Sequence, residues 1–162
     1  MITPEELAEA FARSCSIIKA QTIGLTHADS LLQPPFRGNC MNWVLGHILD
    51  TRNGVLKVLG EMPVSSETDR VRPYGHGSEP VCSDGEGVLK LEQLLKSLES
   101  SQSAIEARLK RISPEELVRE TRDHRGPVTV AQRLLFLYFH ETYHVGQTEL
   151  LRQLAGANDH VI

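Results

Sequence analysis

The chain has 162 residues, of which 40% are hydrophobic and 23% charged, and its formal net charge is -4. This is the balance of a globular domain that can bury its own core, so disorder is excluded and residues 1–162 are taken as one domain. A net negative chain lacks the basic field that binding to a phosphate backbone needs, so no nucleic-acid partner is expected.

The sequence favours a cytoplasmic protein. No apolar run approaches the roughly 20 residues that a membrane span needs, and the start, MITPEELAEA, lacks a signal-peptide pattern. The three cysteines, Cys15, Cys40 and Cys82, have no C-x-x-C spacing and favour free thiols in a reducing compartment.

The first predicted helix begins with a capping box, in which Thr3 is the N-cap, Pro4 takes the first helical position and Glu6 bonds back. Apolar residues recur at three- and four-residue spacing over residues 7–32. The prolines at 34 and 35 then end the helix, because proline cannot continue the hydrogen-bond ladder.

The second predicted helix covers residues 41–59, MNWVLGHILDTRNGVLKVL, and ends before Gly60 and Pro63. The following residues, 60–87, carry prolines and glycines and no hydrophobic period. A connection of this length is uncommon in a compact domain and is often functional.

The third predicted helix covers residues 88–112, where apolar residues alternate steps of four and three, a seam suited to bundle packing. Gln102 is the one polar member of that seam. A capping box at Ser113 predicts a short helix to about residue 120, and residues 121–127 are predicted to be a loop.

The fourth predicted helix is capped by Thr129, with Gln132 as its capping-box partner, and continues to about residue 155, before Gly156. No convincing strand is present. Four long helices, one short helical turn and one long crossover predict an all-α four-helix bundle.

The fourth helix contains HETYH, which has the H-E-x-x-H pattern of many zinc metalloproteases. His140 and His144 lie one turn apart on one helix face, so both imidazoles can approach one ion. The apolar residues around them direct the pair toward the bundle interior, where an imidazole needs a partner. Hydrogen bonds to polar core residues such as Ser14, Gln21 and Gln102 would satisfy the pair without a metal.

His47, in the middle of the second helix, faces the same interior and completes a set of three nitrogens with His140 and His144. Such a site suits zinc or nickel, with iron or manganese as alternatives. Three protein ligands leave at least one coordination position open for solvent or substrate, as in catalytic sites.

A protease is not expected. The extended protease motif has a third histidine where this chain has Leu150, and no predicted strand can bind an extended peptide. Glu141 is the nearest candidate catalytic proton acceptor if it leans toward a bound water, and an outward-facing residue otherwise.

Two further side chains are candidates for substrate binding. Arg133 lies two turns before His140, about 10 Å away along the helix axis, and either holds an anionic substrate or lies on the surface. Gln102 is either a pocket group or an ordinary polar core residue. His76, in the long connection, could line the site if that segment folds over it.

The segment from Thr129 to Gly156 resembles the last helix of the DinB/YfiT-like family, in which H-x-x-x-H is followed by one residue and then Gly-Gln. Val145 stands where the family usually has arginine or another polar residue. Residues 42–52, NWVLGHILDTR, resemble the family's second helix, which carries the first metal ligand, here His47.

The resemblance implies a bundle of up-down-down-up topology with a long connection between helices 2 and 3. It implies one divalent metal on His47, His140 and His144, with solvent completing the shell, and a homodimer. Characterised relatives include thiol-dependent transferases and isomerases that use low-molecular-weight thiols such as mycothiol or bacillithiol. The predicted function is a metal-dependent S-transferase, isomerase or hydrolase acting on a small molecule. The alternative is a non-catalytic metal-binding, ligand-sensing or stress-response bundle.

Overall fold

The computed structural model describes residues 2–64, 72–123 and 126–159. This part of the chain is mostly helical, with one small antiparallel sheet. In chain order its elements are α1 (Pro4–Thr22), α2 (His27–Ser30), α3 (Met41–Val58), a 3-10 turn (Arg72–Tyr74), α4 (Leu91–Leu109), α5 (Pro114–Val118), β1 (Glu120–Asp123), β2 (Gly126–Thr129) and α6 (Val130–Leu154).

The first helix is shorter than predicted. Its capping box is present, since the Thr3 hydroxyl accepts from the Glu6 amide and the Glu6 carboxylate accepts from the Thr3 amide at 2.7 Å. Gly24, at φ 78°, takes the left-handed conformation that ends helices, so α1 stops at Thr22. A second capping box at Thr26 then starts α2. The apolar pattern continued past Gly24 because side chains of this segment still pack on the core.

The other three long helices lie where the sequence predicts them. α3 and α6 match within about one residue, and α4 is three residues shorter than predicted at each end. The predicted cap of α6 is confirmed, because the Thr129 hydroxyl accepts from the Gln132 amide and the Gln132 side chain accepts from the Thr129 amide.

The prediction of a strand-free chain with a loop at 121–127 was wrong. β1 and β2 pair as an antiparallel hairpin, with Thr121 opposite Val128 and Asp123 opposite Gly126. Each strand has only four residues and β1 is largely charged, so neither produces a hydrophobic alternation that could be recognised. His124 and Arg125, within the predicted loop, lie outside the described residues.

The four long helices pack around a shared core. α1 packs against α4 and α6, and α3 packs against the same two helices, so α1 and α3 occupy opposite corners. Two apolar clusters fill the interior. One joins the end of α1 and the starts of α3 and α4 to the second half of α6, and the other joins the start of α1 and the ends of α3 and α4 to the first half of α6.

The described part of the long connection that begins at residue 72 packs on α3 through Tyr74. The Tyr74 ring is completely buried, its hydroxyl donates to Asn42 Oδ1 at 2.7 Å, and the same hydroxyl accepts from the Leu89 amide at 2.8 Å. Gly46 makes room for this ring, because a Cβ at that position would lie 2.4 Å from the ring of Tyr74. The connection is thereby fixed beside the middle of α3, where His47 lies.

Among the described residues, no helix combines the length and the apolar character that crossing a membrane requires.

Candidate metal centre

α3 and α6 bring three histidines to one point. His47 comes from the middle of α3, and His140 and His144 come from successive turns of α6. One nitrogen from each of the three lies within 4.8 Å of the other two, and the Nε2 atoms of His47 and His140 are 3.4 Å apart. Imidazole nitrogens this close can share one metal ion, so the group could hold a divalent cation.

Each imidazole is oriented from behind by a hydrogen bond at Nδ1. The three bonds are His47 to the Tyr74 carbonyl at 2.6 Å, His140 to the Thr51 hydroxyl at 3.2 Å and His144 to Gln147 Oε1 at 2.8 Å. A carbonyl oxygen only accepts, so Nδ1 of His47 carries a proton, and in the neutral imidazole the lone pair is on Nε2, which faces His140. This is the arrangement found behind metal-ligating histidines, where the outer bond fixes the tautomer and the ring orientation.

Trp43 supports the site from the α3 side. Its indole stacks on His47 with ring centroids 4.7 Å apart and an interplanar angle of 17°, and its edge faces His144 at 6.4 Å. Its Nε1 donates to the Ser78 hydroxyl at 2.9 Å, in the long connection. The indole therefore shields the imidazoles and joins the connection to the site.

The electrostatic environment keeps the α6 imidazoles uncharged near neutral pH. Burial, reinforced by neighbouring His144 and His47 and by His76 and Arg133, lowers the pKa of His140 from 6.5 to about 4. Burial also lowers the pKa of His144, although its bond to Gln147 opposes the shift. Neutral imidazole is the form that binds metals, so these two side chains are in the ligand state at pH 7.

Glu141, the predicted proton acceptor, lies outside this histidine group. Its side chain is fully buried, and its two oxygens accept from Nε and Nη2 of Arg52 at 2.9 and 2.7 Å. Burial raises the pKa of Glu141, and the guanidinium of Arg52 opposes that shift. The structure therefore brings Glu141 to Arg52 and not to the three imidazoles.

The two predicted substrate-binding residues have different surroundings. Gln102 belongs to the environment of Arg52, since its Oε1 accepts from Nη1 of Arg52 at 3.2 Å. Arg133 lies over the Phe136 ring at 5.5 Å, and its Nη1 is 3.6 Å from a carboxylate oxygen of Asp123. The positive charge of Arg133 is among the groups that lower the pKa of His140, after burial and the neighbouring histidines.

Sequence reasoning missed most of the groups behind the imidazoles. Thr51 could have been found, because it lies one turn after His47 on the same helix. The Tyr74 carbonyl had no signal, since it lies in a segment without a hydrophobic period. Gly46 was an indirect signal, because a glycine inside a helix often has a packing reason.

Comparisons with known proteins agree with this architecture. A crystal structure described as the conserved protein of locus from Enterococcus faecalis is similar in fold, with a TM-score of 0.75 and 17% sequence identity over 98% of this chain and 99% of that chain. No curated protein matches the sequence significantly. The family model of the DinB superfamily matches residues 4–148. The chain therefore belongs to the DinB superfamily.

Proposed function

We propose that this protein is a divalent-metal-dependent enzyme whose metal ligands are His47, His140 and His144. The observation that carries the proposal is the convergence of three imidazole nitrogens within 4.8 Å, each ring fixed from behind at Nδ1. The all-nitrogen donor set suits zinc or nickel best, with iron or manganese as alternatives.

The reaction that we favour is a thiol-dependent S-transfer or isomerisation, and hydrolysis is the less favoured alternative. A bound divalent ion would act as a Lewis acid that lowers the pKa of a thiol or water in its open coordination position. In H-E-x-x-H hydrolases the glutamate serves as general base, whereas Glu141 here is buried against Arg52. A thiol whose pKa is lowered by the ion would release its proton to solvent without that base, which favours a low-molecular-weight thiol as co-substrate.

An anionic group on the other substrate is proposed to contact Arg133. Its guanidinium is among the charges that lower the pKa of His140, and the exposed His76 lowers that pKa as well. Arg133 also contacts Asp123 and the Phe136 ring. Gln102 is left out of this proposal because it bonds Arg52.

The up-down-down-up topology belongs to the same proposal. It is supported by the composition of the two core clusters, because one end of the bundle combines the start of α1 and of α6 with the ends of α3 and α4. The long connection between α3 and α4 supports it too, since parallel neighbours cannot be joined by a short turn.

We also propose a homodimer in the cytoplasm. α6 carries a stripe of exposed apolar side chains, namely Leu135, Phe139, Tyr143, Leu150 and Leu154. Contiguous exposed apolar patches commonly mark interfaces between proteins, and sedimentation at micromolar concentration checks the dimer. Free thiols at Cys15, Cys40 and Cys82 support a reducing compartment.

Metal content tests the first proposal. The native protein should bind one equivalent of zinc or nickel, and His47→Ala should lower the affinity at least about 100-fold, since loss of even an outer partner costs 10–100-fold. His27→Ala is the matched control, because His27 lies on α2 and contacts Asp84 and the Leu91 amide. Equal metal affinity in the native protein and in His47→Ala would remove the three-histidine centre from the account.

Turnover assays separate the enzyme from the alternative, a non-catalytic metal-binding or ligand-sensing bundle. Metal-loaded protein is assayed with panels of thiols and electrophiles, with and without an anionic group. The proposal expects thiol consumption that Arg133→Ala weakens chiefly through KM. Full metal occupancy without turnover of any pair would favour the sensing alternative.

A further inference from the structure

The ion pair of Arg52 and Glu141 is a fully buried polar contact between α3 and α6. Both side chains have no exposed surface. Arg52 comes from α3, and beyond its two bonds to Glu141 on α6 it donates to the Phe11 carbonyl on α1 at 3.0 Å and to Gln102 on α4 at 3.2 Å. One guanidinium therefore bonds all three of the other long helices.

The pair adjoins the metal centre in sequence on both helices. Arg52 follows Thr51, which bonds His140, and Glu141 follows His140 itself. The separation of Thr51 from His140 and of His47 from His140 depends on how α3 lies against α6. Arg52 and Glu141 form a bidentate contact, in which both carboxylate oxygens must align with two guanidinium nitrogens. This contact restricts the position of α3 relative to α6.

Stability alone is a weak reason for such a pair. Burying two charges carries a desolvation cost that their attraction often only balances, and apolar replacements of similar volume are often as stable. Fixing one register of packing is the better-attested role of buried polar pairs. The observed geometry fits this role, since the pair lies between the two apolar clusters. Hydrophobic packing is non-directional and does not by itself select one register.

We infer that the Arg52–Glu141 pair is a positioning pair, which fixes the register of α3 against α6 and thereby places Thr51 and the three histidines for metal binding. This inference rests on the proposed metal centre. It gives the glutamate of the H-E-x-x-H pattern a role different from proton transfer.

The test compares metal affinity with folding stability in matched variants. Glu141→Gln keeps the shape of the side chain but removes its charge, and it should weaken zinc binding about 10-fold or more and change the visible spectrum of the cobalt-substituted protein. Arg152→Met is the control. Arg152 is also buried and bonds the Gln21 and Ile23 carbonyls, but it joins α6 to the end of α1. It should lower stability and leave zinc affinity and the cobalt spectrum unchanged.

The paired replacement Arg52→Met with Glu141→Leu separates positioning from stability. Its urea midpoint should be closer to that of the native protein than the midpoint of Glu141→Gln is, because no unpaired buried charge is left. Its zinc affinity should stay lowered about 10-fold or more. Recovery of both quantities would show that the pair acts only through stability and would overturn the inference. Native zinc affinity in Glu141→Gln would overturn it as well.

A metal-free readout keeps this inference separate from the metal centre. In the metal-free protein, the effects of Glu141→Gln and Thr51→Val on unfolding should be non-additive, because both residues act on one register. Additive effects contradict the positioning pair, whatever the protein binds. Absence of metal binding in the native protein, with non-additive effects, contradicts the proposed function instead.

Discussion

The three imidazoles differ from a chance cluster because each has a separate partner at Nδ1. A peptide carbonyl, a hydroxyl and a carboxamide occupy the three outer positions, so each ring has a partner besides its neighbouring imidazoles. The alternative to a metal was that Ser14, Gln21 and Gln102 satisfy the pair on α6 by hydrogen bonds. The structure supplies other partners, which leave the inner nitrogens facing one another.

At the residue scale, the lowered pKa of His140 predicts a pH dependence of the metal-free protein. The folded state holds this pKa at about 4, whereas the unfolded chain has its ordinary value of 6.5. Between these values the unfolded chain binds more protons, so the free energy of unfolding falls as the pH falls through this window. Above pH 6.5 the contribution of His140 to the free energy of unfolding should be constant.

Urea unfolding of the metal-free protein between pH 7.5 and pH 5.5 measures this effect. His140→Gln is the comparison variant, since it removes this titrating group and should reduce the dependence to the part that His144, whose pKa is also lowered, contributes. Equal slopes for the native protein and the variant would show that His140 is not held neutral by its surroundings.

At the scale of elements, the site depends on how the connection after α3 lies against that helix. The Tyr74 carbonyl accepts a hydrogen bond from His47, and the Tyr74 ring packs against Gly46. Trp43 bonds Ser78 in the same segment. The connection is therefore part of the centre, although the ligands themselves come from helices.

Gly46→Ala should disturb both the packing and the metal site. The added Cβ has to displace the Tyr74 ring, and overpacking of this kind costs about 1–3 kcal/mol of unfolding free energy. Zinc affinity should fall about 10-fold or more, because the carbonyl partner of His47 moves with the ring. Urea unfolding and competition with a chromophoric chelator measure the two effects.

Gly54→Ala, on the same helix, is the matched control. A Cβ at Gly54 has no neighbour within 4 Å, so alanine should raise stability by roughly 0.5–1 kcal/mol through its helix preference. Zinc affinity should not change. Native zinc binding by Gly46→Ala would mean that the Tyr74 carbonyl does not matter for the centre.

The sequence predicted the long helices well, because their caps and apolar spacing are local signals. Thr3 and Thr129 start helices as expected. The end of α1 was missed because the apolar pattern continued beyond Gly24, and the hairpin was missed because four-residue strands have too short a pattern. The partner of Glu141 was missed for a different reason, since a contact between α3 and α6 depends on the packing of distant segments.

At the scale of the whole molecule, the packing of the four long helices depends on two apolar clusters and on the polar contacts between α3 and α6. The clusters bring the helices together, and the ion pair with the hydrogen bonds around the histidines selects how they lie. Membership of the DinB superfamily rests on residues 4–148 and fits the similar fold of the Enterococcus faecalis protein. The likeness in fold does not by itself define a reaction.

X-ray absorption at the zinc edge tests the central claim most directly. For the zinc-loaded native protein, the account predicts one ion per chain with three imidazole nitrogens at about 2.0–2.1 Å and an oxygen ligand from solvent. His47→Ala should lose one imidazole from that shell. A shell containing thiolate sulfur, or only one imidazole in the native protein, would contradict the three-histidine centre.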